Sequence, residues 1–232
     1  MALTPREFYD KLCGERDAMW QRIMGSRVTD KSAASKSIEA VLFEVCRICY
    51  AELRQAEGVA NWITTTPEFE MKLAFLRQVG DEIKHYQAEA ALLREFGIDI
   101  REYQTVPEWV DYFNWLQILP STVERVATHL VQEHFGGDGQ MRLSQMRNPA
   151  YARIMEVFRD VVVPDEKFHM TLGPKAILQY ATDERTQEMA YAAFQEGMRR
   201  AIRTELRFKE RKEALARAGW PEGWWRLVGE VE

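Results

Sequence analysis

Two short segments of the chain carry the same acidic and imidazole residue types at the same spacing. Residues 81–85 read Asp-Glu-Ile-Lys-His, and residues 165–169 read Asp-Glu-Lys-Phe-His. In each segment a Glu and a His stand three residues apart, so a helix places both side chains on one face, one turn apart. A Glu-x-x-His motif on each of two helices is typical of a two-metal site inside a helical bundle. The repetition therefore predicts a di-metal centre in preference to two solvated helix faces.

A di-metal site of this kind needs one further Glu from each of two partner helices. In the second half of the chain Glu133 is favoured, because it follows an apolar helical stripe, and Glu124 is the alternative. In the first half Glu52 is favoured, because it precedes its motif by nearly as many residues as Glu133 does, and Glu44 stays open. The glutamates of the resulting set are also expected to be catalytic, and the predicted metal ligands are Glu52, Glu82, His85, Glu133, Glu166 and His169.

The chemistry of these ligands indicates which metal they suit. Carboxylates and imidazoles together favour iron or manganese, whereas a structural zinc ion more often recruits Cys. A ligating His also needs a hydrogen-bond acceptor for its second ring N–H, commonly a carboxylate. Asp81 and Asp165 are predicted to fill this role behind the histidines, each reaching across to the His of the other half. The predicted cofactor is a pair of iron ions, with manganese or a mixed pair as alternatives.

Composition excludes several broad classes of function. The chain has 232 residues and a formal net charge of −5, which argues against a general nucleic-acid binder. No apolar run approaches the roughly 20 residues of a membrane span, and the N-terminus lacks a signal-peptide core. Cys46 and Cys49 have CxxC spacing but lie inside a helical pattern, so we expect them to be small core residues. The sequence predicts one domain over residues 1–232, soluble and cytoplasmic, with no nucleic-acid or membrane partner.

Sparse Gly and Pro among Ala, Leu, Glu, Arg and Met favour helices almost throughout. Gly58 and the Gly136-Gly137 pair are predicted to end helices, and Thr66-Pro67 to open one. Gly25-Ser26 is predicted to end the first helix, and Ser32 to begin the second. The predicted helices cover approximately residues 4–24, 32–57, 66–96, 107–135, 150–180 and 183–218.

Two prolines are expected to interrupt this pattern. Pro120 is predicted to break the fourth helix near Leu119, and Pro164 to bend the fifth helix two residues before Glu166. Such a bend is easier to explain at a functional site than in a plain structural helix. The C-terminal part, residues 183–232, holds a last helix and a Trp-rich tail that we expect to fold back onto the bundle.

The motifs resemble those of the ferritin-like di-iron carboxylate proteins. The basic residue before the His of the first copy, Lys84, is similar to the version in bacterial multicomponent monooxygenase hydroxylases and ribonucleotide reductase small subunits. The compact size resembles the catalytic subunits of phenylacetyl-CoA and benzoyl-CoA epoxidase systems. The second copy departs from this pattern, with Phe168 where Lys84 stands. The resemblance covers roughly residues 32–180 and implies an all-α, ferritin-like four-helix bundle with additional N- and C-terminal helices.

This resemblance implies iron ligation by the six residues above, with Asp81 and Asp165 behind the histidines. It implies a non-heme di-iron oxygenase that uses O2 to hydroxylate, epoxidise or N-oxygenate a small organic substrate, with aromatic compounds and acyl thioesters as candidates. Aromatic residues near the motifs are candidates to line an apolar substrate pocket, although each alone fits ordinary core as well: Phe75, Tyr86, Tyr112, Trp115, Phe158 and Phe168.

Alternative functions and partners stay open from the sequence. The alternatives are iron oxidation or peroxide scavenging, as in ferritin and rubrerythrin relatives, and a non-enzymatic partner subunit of an oxygenase complex. The basic segment 199–217 is either a solvated helix face or a docking patch for CoA phosphates, an acidic carrier protein or an electron-donating reductase. His129, one turn before Glu133, is either a packing residue or an extra ligand or proton donor. We also expect a homo-oligomer, most simply a dimer.

Overall fold

The computed structural model of the protein describes residues 2–24 and 37–227, and these residues form helices and no strand. This confirms the all-α prediction for the described residues. The predicted end of the first helix at Gly25-Ser26 and the start of the second at Ser32 lie outside them. The helices are α1 (Pro5–Met24), α2 (Ile38–Ile63), α3 (Phe69–Glu95), α4 (Pro107–Gln117), α5 (Thr122–Ser144), α6 (Ala152–Val157), α7 (Val163–Tyr180) and α8 (Glu184–Arg217).

Four of these helices surround a common interior. Helix α2 packs along α3, and α5 packs along α7, while contacts between α2 and α5 and between α3 and α7 close the ring. Helix α8 covers α5 and α4, and α1 packs against α7 and α8. The helices that carry the two motifs and the two predicted partner glutamates are therefore central.

The interior contains two apolar clusters with a charged layer between them. One, the Phe75 cluster, includes Phe75, Tyr112, Leu130 and Phe194. The other, the Phe158 cluster, includes Phe43, Phe158, Phe208 and Trp224. Along α2, α3 and α5, buried charged residues separate the part in one cluster from the part in the other. In the fourth central helix, the charged residues of α7 lie between Phe158 and Val162, which precede it and belong to the Phe158 cluster, and Leu172, which belongs to the Phe75 cluster. These layer residues are Glu52 in α2, Glu82 and His85 in α3, Glu133 in α5, and Glu166 and His169 in α7.

The order of the clusters along each helix also gives the direction of the chain. Helices α2 and α7 run from the Phe158 cluster to the Phe75 cluster, whereas α3 and α5 run the opposite way. Because α3 and α5 point in the same direction, the connection between them must return along the length of the bundle. That connection, residues 96–121, contains α4.

Three predicted helix boundaries were wrong. Helix α2 continues through Gly58 to Ile63, and α5 continues through Gly136-Gly137 to Ser144. Gly58 is buried next to Gln117, so close packing with another element outweighs its weak helix propensity. Helix α3 begins at Phe69 after Glu68, and the Thr66 hydroxyl donates instead to the carbonyl of Trp62 at 2.8 Å.

The predicted interruption at Pro120 is confirmed, since α4 ends at Gln117 and α5 begins after Ser121. Ser121 and Glu124 form a reciprocal capping box at the start of α5. Buried Arg125 then ties this junction to the end of α2, because its guanidinium donates to the carbonyls of Leu119 at 2.9 Å and Trp62 at 3.3 Å. Carbonyl acceptors thus satisfy a buried cation at the join between the two helix pairs.

The chain before Pro164 widens into a π-helical segment, Phe158–Val162. The N–H of Val163 bonds to the carbonyl of Phe158, five residues earlier. A wider turn accommodates a proline that has no N–H and whose ring crowds the preceding turn of a regular α-helix. The predicted local departure from regular helix is therefore found directly before Glu166.

The tail folds back as expected over its described part. Trp224 is buried, and its ring centroid lies 5.9 Å from that of Phe43 and 5.4 Å from that of Trp220. The carbonyl of Trp225 accepts the N–H of Gln104 at 2.8 Å, which holds the tail against the α3–α4 connection. Among the described helices, none combines the length and apolarity required to cross a membrane.

The close approach of α5 and α7 gives a stability prediction. A Cβ added at Gly173 would lie 3.0 Å from Cδ2 of Leu130 and 3.3 Å from the carbonyl oxygen of Val126. We expect Gly173→Ala to lower the free energy of unfolding by about 1–3 kcal/mol, because the buried neighbours must move. As a control, Gly80→Ala on exposed α3 surface meets no atom within 4 Å and should stabilise the fold by about 0.5–1 kcal/mol. Urea unfolding followed by circular dichroism compares them, and equal stability of the two variants would contradict the packing.

Candidate metal centre

The charged layer brings the predicted ligands into two groups that share one residue. Glu52, Glu82 and His85 form one group, and Glu82, Glu133 and His169 form the other. Within each group, one potential ligand atom per residue lies within 4.8 Å of the others, and all of these residues are buried. Glu82 belongs to both groups, so its carboxylate stands where it can contact two ions.

Glu166, the remaining predicted ligand, also lies between the two histidines. Its Oε1 is 3.6 Å from Nδ1 of His85 and 3.6 Å from Nδ1 of His169. The Oε1 of Glu82 is 3.5 Å from Nδ1 of His169, and its Oε2 is 3.8 Å from Nδ1 of His85. The two motif glutamates thus occupy the middle of the layer, with Glu52 beside His85 at 3.6 Å and Glu133 in the group of His169.

Each histidine turns its other ring nitrogen toward the Asp of the opposite motif. Nε2 of His85 lies 3.3 Å from Oδ2 of Asp165, and Nε2 of His169 lies 3.4 Å from Oδ2 of Asp81. The crossed positions are those expected from the sequence, and the His85–Asp165 contact is a hydrogen bond, whereas Nε2 of His169 and Oδ2 of Asp81 do not form one. A proton on each Nε2 leaves the Nδ1 lone pairs facing the glutamates, which is the tautomer that a metal ligand needs.

The two aspartates have cationic partners of their own. Lys84 pairs with Asp165, and Nε of Arg77 lies 3.5 Å from Asp81. The Asp pair is thus compensated by cations outside the layer and adds little net charge to the centre itself. Lys84, which follows the first motif glutamate by two residues, therefore contacts the second motif.

The alternative glutamates lie outside the layer. Glu44 pairs with Arg47 at 3.0 Å and with Lys212 at 2.5 Å, and these cations outweigh the effect of burial and lower the pKa of its carboxyl to about 2. Glu124 belongs to the capping box of α5. The structure therefore brings Glu52 and Glu133, not Glu44 and Glu124, next to the motifs.

A network of amide side chains surrounds the glutamates, and the sequence did not reveal it. Nε2 of Gln78 donates to Oε1 of Glu82 at 3.0 Å and to Oε1 of Glu133 at 3.2 Å. Gln55 donates to Glu133 at 2.5 Å, and Gln140 donates to Glu52 at 2.8 Å. Gln78 precedes Glu82 by four residues, so the helical stripe through the motif could have identified it.

His129 joins the same network as a neutral donor. Its Nε2 lies 3.0 Å from Oε1 of Gln78 and 3.2 Å from Oε1 of Glu133. Burial lowers the pKa of His129 to about 3, and the charge of His169 lowers it further. A neutral imidazole that donates from Nε2 orients Gln78, which fits a packing and positioning role better than the alternative role of extra ligand or proton donor.

The layer concentrates more charge than an apolar interior tolerates. Burial raises the pKa of Glu82 to about 7, with the neighbouring charge of Glu52 adding to it, and burial raises that of Glu133 to about 8. Burial alone would lower the pKa of the histidines, but their contacts with the glutamates raise it to about 11 for His85 and about 10 for His169. Without metal ions, the centre therefore holds protons.

Buried polar atoms without a hydrogen-bond partner indicate what the charged layer can bind. Nδ1 of His85, Nδ1 of His169 and Oε1 of Glu166 are buried and have no hydrogen-bond partner among the described residues. The Oε1 of Glu166 lies 3.6 Å from each of the two Nδ1 atoms, in the space between the motifs. Nitrogen and carboxylate donors left unsatisfied around one space fit a pair of bound cations.

One further acidic residue was not predicted at all. Glu89 follows His85 by four residues on α3, is 0% exposed, and has no hydrogen-bond partner for either carboxylate oxygen within the described chain. Burial raises its pKa well above the ordinary value, and the charge of Glu52 raises it further. The sequence feature that could have identified Glu89 is its position seven residues after Glu82, on the same helical face.

The aromatic residues near the motifs and the basic segment of α8 were also predicted as functional candidates, and they differ in burial and in their charged partners. Phe75, Tyr112 and Phe158 are fully buried in the apolar clusters, whereas Tyr86, Trp115 and Phe168 are half-buried. In the basic segment of α8, Arg203 and Arg207 both reach Glu108, at 3.4 and 3.1 Å, while Arg199 and Arg200 both pair with Glu196 at 2.6 Å. Local acids thus compensate much of the positive charge that suggested a docking patch.

Comparison of the chain with protein-family models, with curated proteins and with solved structures returns no match. The geometry of the charged layer is therefore the basis for inferring a function.

The raised pKa values predict how metal binding responds to pH. Near neutral pH the metal-free protein carries protons on His85 and His169, whose pKa values are about 11 and 10. Metal ions bind neutral imidazoles and ionised carboxylates, so we expect release of at least two protons, with more from Glu82 and Glu133, whose pKa values are raised to about 7 and 8. The affinity should fall about tenfold per released proton for each unit decrease in pH. Calorimetry with Mn(II) in buffers of different ionisation enthalpy measures this release. Binding without net proton release would contradict the assignment of the histidines.

Proposed function

We propose that this protein is a di-metal oxidoreductase that uses O2 to oxidise a small organic substrate at a pair of iron ions, with manganese or a mixed pair as the alternative. The observation that carries the proposal is the paired arrangement of the charged layer. Two Glu-x-x-His motifs face each other across one buried space, each His backed by the Asp of the opposite motif.

The course of the chain supports a ferritin-like bundle. Two antiparallel helix pairs, α2–α3 and α5–α7, supply the layer, and one long connection between α3 and α5 joins them. A single long crossover is the connectivity of ferritin-like folds, in which each half supplies a lone Glu and a Glu-x-x-His motif. The pattern of residues and the pattern of connections thus favour the same architecture.

Donor chemistry favours iron or manganese over zinc. Every orphaned donor in the layer is a carboxylate oxygen or an imidazole nitrogen. The nearby thiols of Cys46 and Cys49 belong to neither ligand group, and burial raises the pKa of both, which keeps them protonated. Hard oxygen donors with a minority of nitrogen donors suit redox-active first-row ions.

The residues divide the work at such a centre. Glu52, Glu82 and His85 would hold one ion, Glu82, Glu133 and His169 the other, with Glu166 between them. Asp81 and Asp165 orient the imidazoles, while the amide of Gln78 fixes Glu82 and Glu133. The two apolar clusters exclude water from both ends of the layer. A bound metal pair would supply redox chemistry toward O2, with an external reductant restoring its electrons, while this chain supplies geometry, charge balance and a dry interior.

A second candidate function is iron oxidation or peroxide scavenging. Phe75, Tyr112 and Phe158, expected to line a substrate pocket, are packed at 0–1% exposure inside the apolar clusters. Dense packing beside the layer favours a small co-substrate such as O2 or peroxide over a bulky organic molecule. Under either function, a reductase or carrier protein and a homodimer remain predictions.

Both functions require the protein to bind a pair of iron ions, and this shared requirement is tested first. We expect the native chain to bind about two Fe(II) anaerobically and to consume O2, and Glu82→Gln to bind less because it removes the carboxylate shared by both groups. Glu70→Gln, an exposed change on the same helix, is the matched control and should behave as native. Metal content by plasma mass spectrometry and an oxygen electrode provide the readouts.

Products then separate the candidates. An oxygenase incorporates labelled oxygen from O2 into an added aromatic or acyl thioester substrate, detected by mass spectrometry. Iron oxidation without incorporation, or faster reaction with peroxide than with O2, would favour the second candidate. A native chain that holds no transition metal after loading would contradict both.

A further inference from the structure

Glu89 lies on the face of α3 that forms the charged layer. Gln78, Glu82, His85 and Glu89 recur along one stripe of the helix, and all four are buried. At 1.5 Å of rise per residue, the Glu89 backbone is only about 6 Å beyond that of His85 along the helix axis. Side chains in a helix lean toward its N-terminus, so Glu89 leans back toward the turn that holds His85.

The described surroundings of Glu89 provide no group that would stabilise a negative charge by hydrogen bonding. No described residue donates a hydrogen bond to either of its oxygens, and no cation pairs with it in the described chain. The neighbouring thiol of Cys49 points elsewhere, to the carbonyl of Tyr86 at 3.7 Å. A buried carboxylate without donors is costly, and the same position filled by a neutral apolar residue would avoid that cost.

The charges that act on Glu89 are those of the layer, first among them Glu52, followed by His85, Glu166 and Glu82. The residues at the other end of the layer are different. There, Glu133 receives hydrogen bonds from Gln55 and Gln78. At the Glu52 end, Gln140 donates to Glu52 at 2.8 Å. Both ends of the layer therefore have amide donors, and the Glu52 end has a buried carboxyl group, Glu89, in addition.

We propose that Glu89 is a fifth inner carboxylate and ligates the metal ion held by Glu52, Glu82 and His85. The inference rests on the di-metal centre proposed above and makes its two positions inequivalent. Four glutamates balance two divalent ions, and Glu89 adds one negative charge on the Glu52 side. The ion there is bound more tightly, and its higher oxidation state is favoured relative to that of the ion beside Glu133 and His169.

The test uses Co(II), which reports coordination without O2 chemistry, and three forms of the full chain. These are the native chain, Glu89→Gln, which keeps the shape and removes the charge, and Glu95→Gln, an exposed change on the same helix where Glu95 pairs with Arg153. We expect the native chain and Glu95→Gln to bind two Co(II) ions with distinct affinities. In Glu89→Gln one ion should bind about tenfold or more weakly, with a changed visible absorption for that ion alone.

The outcomes distinguish the inference from the function it rests on. If the native chain binds two ions and Glu89→Gln binds both with native affinity and absorption, the role of Glu89 is overturned and the centre stands. If the native chain binds fewer than two ions, the centre and the role of Glu89 are both overturned.

A measurement on the native chain keeps the inference testable if Glu89→Gln does not fold. Anaerobic loading with two Fe(II) ions followed by Mössbauer spectroscopy reports the environment of each ion separately. We expect two quadrupole doublets of equal area, because only one ion has the additional carboxylate. A single doublet would show equivalent ions and overturn the assignment.

Discussion

The structure depends on the burial of several carboxylates at one level of a helical interior. Glu52, Glu82, Glu133 and Glu166 are between 2% and 6% exposed, and Glu89 is not exposed at all. Ionised carboxylates repel one another strongly where water is excluded, so they must be neutralised by protons or by cations. The raised pKa values of Glu82 and Glu133 describe the first solution, and a metal pair is the second.

The surrounding fold is organised to carry this unfavourable layer. Apolar clusters on both sides of the layer supply the hydrophobic burial that offsets its cost. The buried charged residues of the central helices therefore lie between the Phe75 cluster and the Phe158 cluster. The crossed contacts between His85 and Asp165 and between His169 and Asp81 link the two helix pairs at this level. The π-helical segment Phe158–Val162 sits directly before Glu166, where an irregular backbone is a common feature of functional sites.

Much of this arrangement follows from the sequence, and the exceptions have physical reasons. The pairing of Glu and His in each motif could be predicted because helical spacing fixes which side chains share a face. The places of Glu52 and Glu133 and the crossed aspartates could be predicted because the two halves of the chain repeat one pattern. Helix ends were harder to predict, because Gly58 and Gly137 are stabilised inside helices by neighbours that the sequence does not reveal. Gln78 and Glu89 were missed because a polar residue on a helix looks solvated until the neighbouring helices are placed. The choice of substrate stays beyond the sequence, since the aromatic residues near the motifs are equally suited to a core.

The most direct test of this account is a crystal structure of the protein loaded with iron, with anomalous diffraction data collected on both sides of the iron absorption edge. The account predicts two anomalous peaks about 3.5–4 Å apart within the charged layer, one bonded to Nδ1 of His85 and the other to Nδ1 of His169. A map without anomalous peaks in this layer, or with metal bound only at surface carboxylates, would contradict it.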